Sequence, residues 1–150
     1  MSDLADLYQQ AVLDHNNKPR NFCRIEDASS SAEGYNPLCG DIINVDVVMD
    51  GDIIEQIGFH GDGCAISKAS ASMMTDLVMG MTKVEAIDLF EAFHSAVING
   101  IDMYEAIDKF GKLAALTGVS EFPARVKCVS LAWHTLKAAI EGGKKSVTTE

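Results

Sequence analysis

The sequence is short of positive charge. Only 12 of its 150 residues are Lys or Arg, against 22 Asp and Glu, which gives a formal net charge of −10. Such a surface does not neutralise a phosphate backbone, so no nucleic-acid partner is expected. Long apolar runs are missing too. No stretch approaches the roughly 20 residues that span a bilayer, and the opening MSDLADLYQQ has neither the basic nor the apolar region of a secretory leader. No membrane partner is expected, and the expected compartment is the cytoplasm. The loop GDG at 61–63 lacks the third glycine and the βαβ setting of a nucleotide-binding turn. There is no internal repeat and no sign of a second domain, so residues 1–150 read as one domain with enough apolar content to fold without cross-links.

Cysteine is sparse but not absent. Cys23, Cys39, Cys64 and Cys128 in a reducing compartment point to a metal or to reactive thiols rather than to disulfides.

Apolar spacing predicts a helix over Asp3 to His15, ended by Lys18-Pro19-Arg20-Asn21, then a polar stretch with an edge strand within Ala28 to Asn36. From Cys39 the residues alternate, with Ile43, Val45, Val47 and Met49 on one parity and Asn44, Asp46 and Asp50 on the other. A second run carries Ile53, Ile57 and Phe59. A three-residue loop at Asp50-Gly51-Asp52 pairs Met49 with Ile53 and Val45 with Ile57, and by extension sets Cys39 opposite Gly63.

The remainder reads as helices. They run from Cys64 to Met79, from Thr82 to Ile98 behind the capping box Thr82-Lys83-Val84-Glu85, in short pieces through Leu116, and from Pro123 to Ile140. Met73, Met74, Met79 and Met81, with Ala69-Ser70-Ala71-Ser72, suit core packing. The tail from about 142 to 150 is expected to be disordered. The pattern is α/β in composition, an α+β two-layer fold with a small antiparallel sheet of about three strands covered on one face by helices.

Asp41 shares the parity of Ile43 and Val45 and so faces the expected core, where a lone carboxylate is costly unless it is paired or bound to a metal. Cys39, two residues earlier, is a ready co-ligand. Cys64 falls at a helix N-terminus, where free N–H groups attract negative charge. Cys128 would be a third sulfur, with Arg125 and Lys127 as nearby cations that favour a thiolate. Three thiolates and a carboxylate complete a tetrahedral Zn²⁺ shell. The plainer alternative is buried structural cysteines with Asp41 capping a turn. Cys23 reads as a small hydrophobe beside Phe22, and His15, His60, His94 and His134 are scattered.

NPLCGD, GDGCAISKASASMMT, FPARVKCVSLAW and LDHNNKPRN together resemble the U-type iron–sulfur assembly family, and the resemblance spans most of the chain. Within it, the chain is more similar to SufU-type sulfur acceptors than to IscU-type scaffolds. Scaffolds usually carry a histidine immediately before the last cysteine, where this chain has Lys127. The 64 residues from Cys64 to Cys128 also leave room for an extra helical segment around Ile101 to Leu116.

The resemblance implies zinc held by Cys39, Asp41, Cys64 and Cys128, with Cys39 accepting sulfur as a persulfide and Arg125 steadying the site. It implies a SufS-type cysteine desulfurase as partner, with downstream iron–sulfur assembly proteins or apoproteins as recipients. Four protein ligands would close a zinc site, so transfer would require Cys39 to leave. The rival functions are a scaffold for a transient [2Fe–2S] cluster on the same residues and a zinc-stabilised domain without sulfur chemistry.

Overall fold

Alternating burial along the strands builds the sheet on which everything else rests. In the computed structural model, which describes residues 3–142 and 146–149, β1 (Ser30–Asn36), β2 (Asp41–Asp50) and β3 (Ile53–Asp62) form an antiparallel meander. Ile43, Val45 and Val47 of β2 point into the core, with Ile54, Ile57 and Phe59 of β3 beside them. α1 (Asp3–Asn17) precedes the sheet. α2 (Ala65–Val78), α3 (Lys83–Asn99), α4 (Met103–Phe110), a 3-10 helix (Gly111–Val119) and α5 (Pro123–Glu141) follow it. Among the described residues, no helix is long and apolar enough to cross a membrane.

The hairpin register differs from the sequence expectation. Asp50 pairs with Ile53 and Met49 with Ile54, then the register shifts so that Val47 pairs with Ile57 and Val45 with Phe59. A tight turn at Gly51-Asp52 and a bulge that leaves Glu55 as the extra residue replace the expected three-residue loop. The bulge changes parity along β3. Ile54 is fully buried where Ile53 was expected to be, and Ile53 is largely exposed.

The sheet has four strands, not three. β4 (Ser146–Thr148) lies parallel to β1, in the order β3-β2-β1-β4. The sheet is therefore mixed, and β1 is an interior strand rather than an edge. The expectation of a disordered tail is corrected for residues 146–149, while 143–145 and 150 lie outside the described residues. β1 gains a second hydrogen-bonded neighbour, which a short polar strand such as SVT can provide through its backbone alone.

The helices obey their local signals. Thr82 Oγ1 accepts from the Glu85 N–H at 3.1 Å and Glu85 returns a carboxylate oxygen to the Thr82 N–H at 3.0 Å, completing the capping box. α5 opens on Pro123 and stops at Gly142 in the left-handed conformation. Trp133 on α5 is fully buried against Phe93. Its indole N–H needs an acceptor there and finds Ser70 Oγ on α2 at 3.2 Å, while that hydroxyl donates to the Val129 carbonyl at 2.7 Å. The small residues Ala69 to Ser72 and the methionines Met73 and Met74 are buried as expected, whereas Met79, the cap residue that ends α2, is exposed and Met81 is only half-buried.

α5 packs tightly against β1 at Gly34. A Cβ there would overlap Thr135 Oγ1 and lie 3.0 Å from Leu131 Cδ1. Gly34→Ala is expected to destabilise the fold by about 1–3 kcal/mol, the usual cost of overpacking. In a chain of this length each kcal/mol lowers Tm by about 2–4 °C. Thermal unfolding followed by circular dichroism checks this, and an unchanged Tm would contradict the contact.

Candidate metal centre

Three chain segments meet at one end of the sheet. β1 and β2 are joined by the turn Pro37 to Gly40, closed by the Gly40 N–H donating to the Asn36 carbonyl at 2.8 Å. This turn carries Cys39, which is exposed. The strand begins with Asp41, which has no solvent exposure at all. β3 ends at Asp62, and Gly63 leads into Cys64, the N-cap of α2. Cys128 reaches the same place from the first half of α5 and is 3 % exposed.

Asp41 is held from two sides. Its Oδ1 accepts from the Cys64 backbone N–H at 2.9 Å, and its Oδ2 accepts from the Asn36 side-chain amide at 3.2 Å. Gly63 makes room for it, since a Cβ at that position would come within 2.9 Å of Asp41 Oδ1. Cys128 Sγ lies 3.3 Å from Cys39 Sγ and accepts a 3.6 Å hydrogen bond from Asn36 Nδ2. Cys64 Sγ accepts from the Ser67 N–H at 3.4 Å, as a cap at the start of α2. Donor atoms of Cys39, Asp41 and Cys128 fall within 4.8 Å of one another, and among the described residues no other group of three such side chains does so.

Burial pushes the Cys128 thiol well above the ordinary thiol range, and the neighbouring Cys39 and Cys64 thiols and the Asp41 charge push it further. The expected influence of Arg125 and Lys127 does not prevail. The Arg125 guanidinium lies over the Phe122 ring, 4.8 Å from its centroid, at the surface. A buried sulfur that resists ionisation beside a buried carboxylate suits a cation, whose charge reverses that preference. The spacing suits one as well. Two sulfurs on a tetrahedral zinc with bonds of about 2.3 Å lie about 3.8 Å apart, and the Cys39 and Cys128 sulfurs need move only slightly to reach that separation.

Cys39, expected opposite Gly63 in an extended hairpin, sits instead on the β1–β2 turn, and the shifted register pairs Ile42 with Asp62. Cys128 is buried. Cys23 is exposed rather than packed as a small hydrophobe. The histidines stay away from the centre. His15 is buried against Ser72, His60 lies 4.0 Å from Asp46, and the His94 and His134 rings contact each other at 5.0 Å. Sequence reasoning missed Asn36, which touches both Asp41 and Cys128. Its signal was its position five residues before Asp41, across a tight turn that sets the two side by side.

The longer interval before Cys128 is filled by α4 and the 3-10 helix. Leu116 and Val119 from this segment join Val12, Ile66 and Arg125 in lining an open cleft between α1 and the starts of α2 and α5.

Comparison with known proteins identifies the family. Residues 7–129 match the family described as the NifU-like N-terminal domain. The chain is 43% identical over 141 residues to the iron–sulfur cluster assembly scaffold protein IscU of Streptococcus pyogenes serotype M1, covering 94% of this chain and 87% of that one. It is 41% identical over 145 residues to the zinc-dependent sulfurtransferase SufU of Bacillus subtilis, covering 95% and 97%. A crystal structure described as a candidate iron–sulfur cluster assembly scaffold for the SUF system, from Fervidobacterium islandicum AW-1, superposes with a TM-score of 0.80 at 31% identity, covering 93% and 99%. The chain belongs to the NifU-like N-terminal domain family, alongside the IscU and SufU proteins of iron–sulfur cluster assembly.

Proposed function

We propose that the chain is a zinc-dependent sulfurtransferase of iron–sulfur cluster assembly, accepting persulfide sulfur from a SufS-type cysteine desulfurase in the cytoplasm. The observation that carries the reading is the contrast between Cys39, exposed on a turn, and its neighbours Asp41 and Cys128, both buried at the same point. Cys64 is exposed as well, but it is anchored as the cap of α2, so Cys39 on its turn is the accessible sulfur with freedom to move. Similarity to the Bacillus subtilis SufU, Lys127 in place of a histidine, and the segment filled by α4 and the 3-10 helix support it further.

Zinc would be held by Cys39, Asp41, Cys64 and Cys128, and its charge would keep the three sulfurs as thiolates at neutral pH. The chain's own residues account for the remaining chemistry. Cys39 Sγ attacks the outer sulfur of the desulfurase persulfide. The new Sγ–S bond forms as the desulfurase S–S bond breaks, and the desulfurase cysteine departs as a thiolate. The transferred sulfur keeps its oxidation level, so no oxidant is consumed. Asp41 accepts two hydrogen bonds and keeps the α2 N-terminus against β2. Arg125, one turn before Cys128 on α5, would swing from Phe122 toward the sulfur charge when the partner docks.

A second reading is a scaffold on which a [2Fe–2S] cluster assembles before transfer to an apoprotein. It is favoured by the name of the Streptococcus pyogenes relative and by Asp41, a non-cysteine ligand that would leave such a cluster labile. Metal analysis separates the two. The freshly purified protein is expected to be colourless with one zinc per chain, and any reconstituted cluster is expected to decay quickly. A stable iron–sulfur absorption spectrum with little zinc would favour the scaffold.

Cys39→Ser is expected to remain folded but to lose its stimulation of a matching desulfurase, down to the unassisted rate. Mass spectrometry of the wild type after turnover should find the additional sulfur on Cys39. Zinc content and folding are measured on the same samples, because Cys39 is also a proposed ligand. Full stimulation by the serine variant, or sulfur found only on Cys64 or Cys128, would contradict the assignment.

A further inference from the structure

Asn36 makes four connections from a fully buried position. Both amide hydrogens of a side-chain NH₂ can donate, and the two acceptors within reach are Asp41 Oδ2 at 3.2 Å and Cys128 Sγ at 3.6 Å. Its Oδ1 accepts from the Thr149 hydroxyl at 3.0 Å. Its backbone carbonyl closes the turn that carries Cys39. Thr149 is brought there by β4, whose parallel register sets Gly34 beside Val147 and Tyr35 beside Thr148. The Thr149 N–H then donates to the Tyr35 carbonyl at 3.1 Å, one step beyond the last strand pair.

We infer that Thr149 is a positioning residue for the metal centre, holding the Asn36 amide in the one orientation that donates to Asp41 and Cys128. The inference rests on the four-ligand reading above. A flipped amide would present its oxygen to the Asp41 carboxylate, two acceptors facing each other, and would withdraw both N–H donors from the site. The unflipped amide must in turn have a donor at Oδ1, because that oxygen is buried. Thr149 supplies the donor, and it reaches the site only because the C-terminal segment adds a strand to the sheet. The tail is thereby a working part of the centre, although it lies far from every ligand in sequence. Outer partners of this kind fix the orientation and basicity of the groups that hold a metal.

Thr149→Val keeps the side-chain shape and the backbone pairing of β4 while removing the hydroxyl, and Thr149→Ser restores it. Three properties are compared across wild type and both variants. These are the visible spectrum of the cobalt(II)-substituted protein, the rate at which zinc is lost to a chromophoric chelator, and Tm. We expect Thr149→Val to lose zinc about 10-fold faster, at the low end of the range for outer-shell partners, with a shifted cobalt spectrum. Thr149→Ser should match wild type in both. A valine variant with wild-type zinc loss and cobalt spectrum overturns the inference, even if its Tm falls, and so does a serine variant that fails to recover. A wild type that takes up no cobalt overturns the four-ligand reading itself and the inference with it, which separates the two failures.

Discussion

The fully buried Asp41 carboxylate is the constraint on which the working end of the molecule depends. Removing such a charge from water costs several kcal/mol even after relaxation, roughly the penalty that pairing or hydrogen bonding must offset. Two donors meet part of that demand, and each ties a different segment to β2. The Cys64 N–H binds the start of α2, and the Asn36 amide binds the end of β1. Gly63 is the residue at which the chain passes close enough for the first of these bonds to form. The hydrogen bonds that satisfy Asp41 therefore also tie together the segments that carry Cys39 and Cys64, and the Asn36 amide extends the link to Cys128.

The division of labour among the sulfurs follows from the elements that carry them. Cys128 is fixed by its helix and by its burial between α5 and the sheet, and without a cation its thiol is strongly held in the protonated form. Cys64 caps α2, and its sulfur already accepts a backbone N–H. Cys39 stands on a four-residue turn with one face open to solvent. A turn can shift without unpacking the core, whereas a helix cannot move alone. The residue proposed to exchange with a partner is thus the one whose displacement costs the fold least. The exposed Leu38 beside it and Phe122 across from Arg125 add apolar surface near the same end.

Much of the candidate centre was legible in the sequence, because its signals are local. Asp41 on a core-facing parity, Cys64 after GDG at a helix start and Cys128 in an amphipathic helix each announce themselves within a few residues. The features that were not legible depend on long-range geometry. A bulge inserts Glu55 without disturbing the hydrophobic run, so Ile53 and Ile54 exchange faces and the hairpin register moves. β4 is three polar or small residues after GGKK, with no alternation to mark it, and becomes a strand only because β1 offers an open edge. Asn36 carries only the local signal of its place across the turn from Asp41. Its importance comes from Cys128 and Thr149, 92 and 113 residues away.

Zinc K-edge X-ray absorption of the protein as purified tests the central claim most directly, because it counts the donor atoms around the metal. The expected result is a four-coordinate shell of three sulfurs at about 2.3 Å and one oxygen at about 2.0–2.2 Å, the oxygen being lost on Asp41→Ala. A shell of four sulfurs, one containing histidine nitrogen, or an unchanged oxygen in the alanine variant would contradict it.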